Sequence, residues 1–151
     1  MNRAQPTPME RALVEAEAAA ARGEVPVGAV ITDAEGHILA ANGNRMREHQ
    51  DPTAHAEMLV IRETARSLGA IRLIDCDLYV TLEPCSMCAA AIGFARLRRL
   101  YYGAGDPKGG AVDHGPRLFT AQSCHHTPEV YGGINERRAA DLLKDFFRER
   151  R

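Results

Sequence analysis

Two short segments constrain what this chain can fold into: His55-Ala56-Glu57 and, beyond a predicted strand, Pro84-Cys85-Ser86-Met87-Cys88. One imidazole and two thiolates are donors for a soft divalent metal. Three protein ligands leave zinc a fourth position that water can fill, where a structural site would normally close it with a fourth protein ligand. The fold must therefore carry two separated segments to one point. A closed structural site is the competing reading, with Cys76, or Cys124 with His125-His126, supplying the fourth ligand.

The compartment decides whether the Cys-x-x-Cys pair is free for metal. The start Met1-Asn2-Arg3 is polar, no apolar run approaches a membrane span, and no signal-peptide hydrophobic region is visible. A cytoplasmic, reducing location is expected, which favours metal binding over disulfides for the four cysteines. At 151 residues the chain suits one domain spanning 1–151. Net charge is -1, which excludes a general polyanion binder, but the charge is uneven. Residues 1–93 hold eight Lys/Arg against thirteen Asp/Glu, and residues 94–151 hold eleven against seven. The basic end allows a local phosphate-facing patch or simply a set of solvated arginines.

Along the chain, Thr7-Pro8-Met9-Glu10 is a capping box with proline in the first turn, and Leu13, Ala16 and Ala20 share one face before Gly23 ends the helix. A β-hairpin is predicted from about residue 26 to 43, around the turn residues Asp33-Ala34-Glu35-Gly36. Thr53 is the predicted N-cap of a second helix containing Met58, Ile61, Ala65 and Leu68 and closed by Gly69. His55 and Glu57 then fall in its first turn, but residues two apart do not share a helix face, so their convergence has to come from the tertiary fold. Asp77–Leu82 reads as a central strand, Cys85 and Cys88 begin the next helix, and Arg99–Gly103 forms another strand. The stretch 105–116 reads as a mobile loop, 123–133 as irregular, and a terminal helix from Asn135 buries Ala139, Leu142, Leu143 and Phe146. This order predicts an α/β domain opened by an antiparallel hairpin and continued by parallel crossovers.

A helix start lowers thiol pKa values and so favours the metal-binding thiolates. Two thiolates neutralise Zn²⁺, so a bound water is acidified less than in a three-histidine site, and a separate base is required. Glu57 is that base: it accepts a proton from the zinc-activated water, which attacks an electron-poor ring carbon bearing an amino group. The same carboxyl returns protons to the ring nitrogen and to the departing amine. The competing view of Glu57 alone is a solvated carboxylate at a helix start. The polar segment Asn42-Gly43-Asn44 can supply an amide that reads a ligand's donors and acceptors, or serve only as an irregular strand end.

The His-x-Glu and Pro-Cys-x-x-Cys pair resembles the zinc-dependent nucleobase deaminases. Four longer segments resemble the bacterial tRNA-specific adenosine deaminase family: Glu24-Val25-Pro26-Val27-Gly28-Ala29-Val30, Asp51-Pro52-Thr53-Ala54-His55-Ala56-Glu57, Leu78-Tyr79-Val80-Thr81-Leu82-Glu83-Pro84-Cys85 and Asp145-Phe146-Phe147-Arg148. The resemblance runs from Met9 onward. It implies a five-stranded mixed sheet sandwiched by helices, one zinc per subunit of a homodimer, and conversion of adenosine to inosine at the anticodon wobble position of an arginine tRNA. It further implies His55, Cys85 and Cys88 as ligands and Glu57 as proton shuttle. Asn44 and the backbone of Ala56 would contact the base, Asp106 and Lys108 would line the nucleotide path, and Phe147 and Arg150 would meet flanking nucleotides. Two other functions share parts of this pattern: a small-molecule deaminase acting on guanine or cytosine, and a non-catalytic zinc-stabilised RNA-binding module.

Overall fold

The computed structural model describes residues 5–150; Met1-Asn2-Arg3-Ala4 and Arg151 lie outside that range. Helix α1 spans Pro8–Ala21 and opens with the capping box read from the sequence: the Thr7 hydroxyl accepts from the Glu10 N–H, and the Glu10 carboxylate accepts from the Thr7 N–H. Strands β1 (Gly28–Thr32) and β2 (Ile38–Gly43) form the predicted antiparallel hairpin. A short helix α2 (Met46–His49) leads to α3 (Ala56–Leu68). Strand β3 (Asp77–Leu82), helix α4 (Ser86–Ala95), strand β4 (Arg99–Ala104), strand β5 (Glu129–Tyr131) and helix α5 (Glu136–Glu149) complete the order.

The five strands form one mixed sheet in the order β2-β1-β3-β4-β5. β1 is antiparallel to both neighbours, whereas β3, β4 and β5 run parallel, so the hairpin is followed by crossovers and β3 is central. The period-2 alternation of a strand divides the core. Ala29, Ile31, Leu78 and Val80 face a layer containing Val60 of α3 and Ile92 of α4. Val30 and Tyr79 face Met9, Leu13 and Ala139 of α1 and α5. The helices thus sandwich the sheet.

α1 crosses β1 so closely that a Cβ on Gly28 would lie 1.9 Å from the Ala12 carbonyl oxygen, so only glycine fits there. No helix among the described residues is long and apolar enough to cross a membrane.

The structure corrects three expectations. Thr53 does not cap α3: it bonds to Asp51, while His55 occupies the N-cap position in an extended conformation. The stretch 123–133 contains the edge strand β5, paired in register with β4. The 105–116 loop is held by hydrogen bonds from several of its N–H groups to the buried carboxylate of Glu83.

Candidate metal centre

His55 and Cys85 are the N-cap residues of α3 and α4, and Cys88 lies in the first turn of α4. Two helix starts therefore meet at the carboxyl end of β3, the end of a parallel sheet at which α/β proteins bind ligands. The N-cap position also resolves the problem posed by the His-x-Glu spacing. His55 is outside the helix at φ -72°, ψ 151°, so its ring does not follow the helical rotation that separates residues two apart.

His55 Nδ1 lies 3.6 Å from Cys85 Sγ and 3.5 Å from Cys88 Sγ. Zinc bonded tetrahedrally at about 2.0–2.1 Å to nitrogen and about 2.3 Å to sulfur separates those atoms by about 3.6 Å. The donor types and spacing both fit zinc. The three residues form a group that can hold a metal ion, and among the described residues no Cys124, His125, His126 or Cys76 atom joins it. Cys124 instead donates to the His126 carbonyl, and His126 Nε2 lies 2.7 Å from the Leu97 carbonyl. Cys76 is buried in the core, and its thiol is raised above the ordinary value first by that burial.

The local electrostatics suit metal and proton chemistry. A hydrogen bond from Cys88 holds the Cys85 thiol down to about 4, and the same bond raises Cys88. The neighbouring Cys85 sulfur raises His55 against the opposing effect of burial. Glu57, only 4 % exposed, has its carboxyl pushed up by burial, the condition for a carboxyl that both takes and returns protons.

Asn44 is 5 % exposed and tied down on three sides. Its Oδ1 accepts from the Ala56 N–H at 2.8 Å, its N–H donates to the Val27 carbonyl, and its carbonyl accepts from Arg22 Nη2 at 2.9 Å. Asn44 is thus the long-range cap of α3, the role that local sequence rules assign to Thr53. The same bond engages the Ala56 N–H and ties the backbone of Ala56 to Asn44, the two residues expected to contact the base. Buried Glu24 accepts from the Arg47 and Glu48 N–H groups and fixes α2 just beyond Asn44.

Asp106 and Lys108 lie in the loop after β4. Asp106 accepts from the Lys108 and Gly109 N–H groups, its own N–H donates to Glu83 Oε1, and the Ala111 N–H donates to the Pro84 carbonyl beside Cys85. The loop is therefore tied to the metal segment. Phe147 and Arg150 are farther along in the fold, at the end of α5. Arg150 stacks its guanidinium 3.6 Å over the Phe146 ring, and Phe147 is about half exposed. No hydrogen bond or ion pair links either residue to the metal-ligand group among the described residues.

Sequence reasoning missed Glu83. Its side chain is fully buried and accepts from the Asp106, Val112, Asp113 and His114 N–H groups and from the His114 ring. Burial pushes this carboxyl up, but those bonds outweigh it and hold the group below the ordinary range. The available signal was an acid directly before Pro84-Cys85, where a following proline favours an extended backbone at the strand exit.

A structure with two helix starts, a His/Cys/Cys donor set and a buried carboxyl defines a zinc-binding deaminase class. The chain belongs to the cytidine and deoxycytidylate deaminase zinc-binding family, whose description matches residues 3–104. Within it, the tRNA-specific adenosine deaminase of Agrobacterium fabrum is 59% identical over 143 residues, covering 95% of this chain and 93% of the relative. A solved structure of a tRNA:A34 deaminase, from work on A-to-I editing at the wobble position of transfer RNA, superposes with a TM-score of 0.88 at 59% identity over 90% of this chain and 98% of that one. The guanine deaminase of Nitrosomonas europaea has the same fold, with a TM-score of 0.79 at 22% identity over 95% of this chain and 86% of that one. The fold alone therefore does not select the substrate.

Proposed function

We propose that this chain is a zinc-dependent tRNA adenosine deaminase that converts adenosine to inosine at the anticodon wobble position. The observation that carries the reading is the three-ligand group with a buried carboxyl beside it, in a chain 59% identical over nearly its whole length to a tRNA-specific adenosine deaminase. His55, Cys85 and Cys88 would hold zinc, which would supply the Lewis acidity that makes a water nucleophilic. Glu57 would take one proton from that water and pass it to the ring nitrogen next to the reacting carbon, then take the remaining proton from the hydroxyl newly bonded to that carbon and deliver it to the exocyclic amine as the C–N bond breaks. Water and adenosine become inosine and ammonia. Glu57 is suited to this relay because burial raises its carboxyl toward working pH.

Asn44 presents the base-reading group. Its oxygen is committed to Ala56 and its main chain to Val27 and Arg22, which leaves the side-chain NH₂ to donate to an acceptor on the base. An anticodon base is already unpaired, so little unstacking energy is required to seat it. Lys108 and Arg150 supply cationic contacts to the surrounding nucleotides, and Phe147 meets a flanking nucleotide.

The finer features follow from the same resemblance: a single cytoplasmic domain acting as a homodimer on an arginine tRNA. Ile71 and Phe94, each more than four-fifths exposed, line an apolar cleft of about 620 Å³ on the α4 side and support pairing of two subunits.

The function is tested by incubating the protein separately with free guanine, cytosine and adenine, with nucleosides, and with an anticodon stem-loop. Inosine in the stem-loop is expected. Turnover of a free base with none on the stem-loop would establish the small-molecule reading instead.

A further inference from the structure

Glu83 and His114 form a dyad beside the metal centre that the proton relay does not use. Glu83 accepts four backbone N–H groups, and its Oε1 lies 2.6 Å from His114 Nδ1. A carboxylate can only accept, so the tautomer that satisfies this contact carries its hydrogen on Nδ1. In the neutral ring Nε2 is then a bare acceptor, fixed in orientation by a side chain with no exposure of its own. The His114 side chain is 40% exposed, and Nε2 has no partner among the described residues.

The His114 loop is bonded to Pro84 through the Ala111 N–H and to Glu83 through the Asp106 N–H, which places it at the exits of β3 and β4 beside Cys85. Gly105 lies under the ring: a Cβ there would come within 3.3 Å of His114 Cε1. A part-exposed, rigidly oriented acceptor on the loop tied to the metal segment calls for a hydroxyl or amine donor on the ligand. The donor that distinguishes RNA from DNA along a backbone is the ribose 2′-hydroxyl.

We propose that His114 Nε2 accepts a hydrogen bond from the 2′-hydroxyl of a nucleotide flanking the reactive adenosine, making His114 a determinant of ribose over deoxyribose. The contact rests on the RNA-deaminase reading given above.

The test is a double-mutant cycle. Stem-loops carrying a single 2′-deoxy substitution at each flanking nucleotide are compared with the all-ribose stem-loop, using the wild type and His114→Asn. The asparagine amide can replace Nδ1 as donor to Glu83 while removing Nε2, so the loop keeps its anchor. At one position the deoxy substitution is expected to lower wild-type kcat/KM by about three- to tenfold, the range of one neutral hydrogen bond, and to have no further effect in His114→Asn. Equal losses in both proteins at every position would overturn the contact. A wild type inert on the all-ribose stem-loop would overturn the functional reading and the contact with it. If His114→Asn does not fold, NMR of the wild type decides: the His114 ring resonances should shift less with the critical deoxy stem-loop than with the all-ribose one, and equal shifts for all stem-loops would refute the proposal.

Discussion

Replacing Glu83 with glutamine removes one charge and almost no volume, yet it should loosen the loop that borders the metal centre. Two donors, the Asp106 N–H and His114 Nδ1, meet Oε1, and three backbone N–H groups meet Oε2. An amide oxygen can serve only one of these groups of donors. Placed at Oε2 it keeps three bonds, each weakened by roughly 1 kcal/mol on loss of the charge, and turns an NH₂ toward the other two donors at a cost of roughly 1–3 kcal/mol. Relief of a buried charge returns part of this, for a net loss of about 3–5 kcal/mol. At this chain length that corresponds to a fall in Tm of roughly 6–20 °C.

Thermal melts give the size of the effect, and amide hydrogen exchange locates it: protection should fall at residues 106 and 112–114 while α1 is unaffected. The sign with pH is fixed by the depressed carboxyl. Its stabilisation is fully present above the unfolded value of about 4.3 and is lost as pH falls through the lower folded value. Glu83→Gln should not show that acid loss. A melt within about 3 °C of wild type, with residues 112–114 still protected, would refute Glu83 as the anchor.

Other perturbations address separate parts of the structure. Gly28→Ala forces a methyl toward the Ala12 carbonyl and should destabilise the protein by roughly 3 kcal/mol or more, read as a lowered denaturant midpoint. Cys124→Ala should retain full zinc content by metal analysis while Cys85→Ser loses most of it; loss of zinc from Cys124→Ala would restore the closed structural site. Lys108→Ala and Arg150→Ala should each weaken stem-loop binding with zinc content unchanged, and the salt dependence of binding should become shallower by roughly 0.7 for each single-strand phosphate that the variant no longer neutralises. Unchanged affinity at moderate salt removes those residues from the binding surface.

The parts of this molecule legible in its sequence are those governed by local rules. The α1 capping box, the hairpin, the central β3 and the placement of Cys85 and Cys88 at a helix start follow from periodicity and from the residue types suited to each position. The misses are long-range. Asn44 caps α3 from twelve residues away, so the local pattern selected the nearer Thr53. β5 is three residues long and paired only on one side, too short for alternation to show. The glycine-rich 105–116 stretch reads as mobile until a carboxylate from a different strand is seen to collect its N–H groups. Part of the basic surplus after residue 93 is also engaged within the protein: Arg98 pairs with Asp77, Arg99 with Glu129, Arg138 with Glu17 and Arg148 with Asp145.

The proposed function stands or falls on Glu57 moving the protons of a deamination at a His55/Cys85/Cys88 zinc site. Glu57→Gln, assayed by mass analysis of an anticodon stem-loop alongside zinc content, tests this most directly. Full zinc occupancy and loss of inosine formation are expected. Undiminished inosine formation by a zinc-replete Glu57→Gln protein would contradict the proposed role.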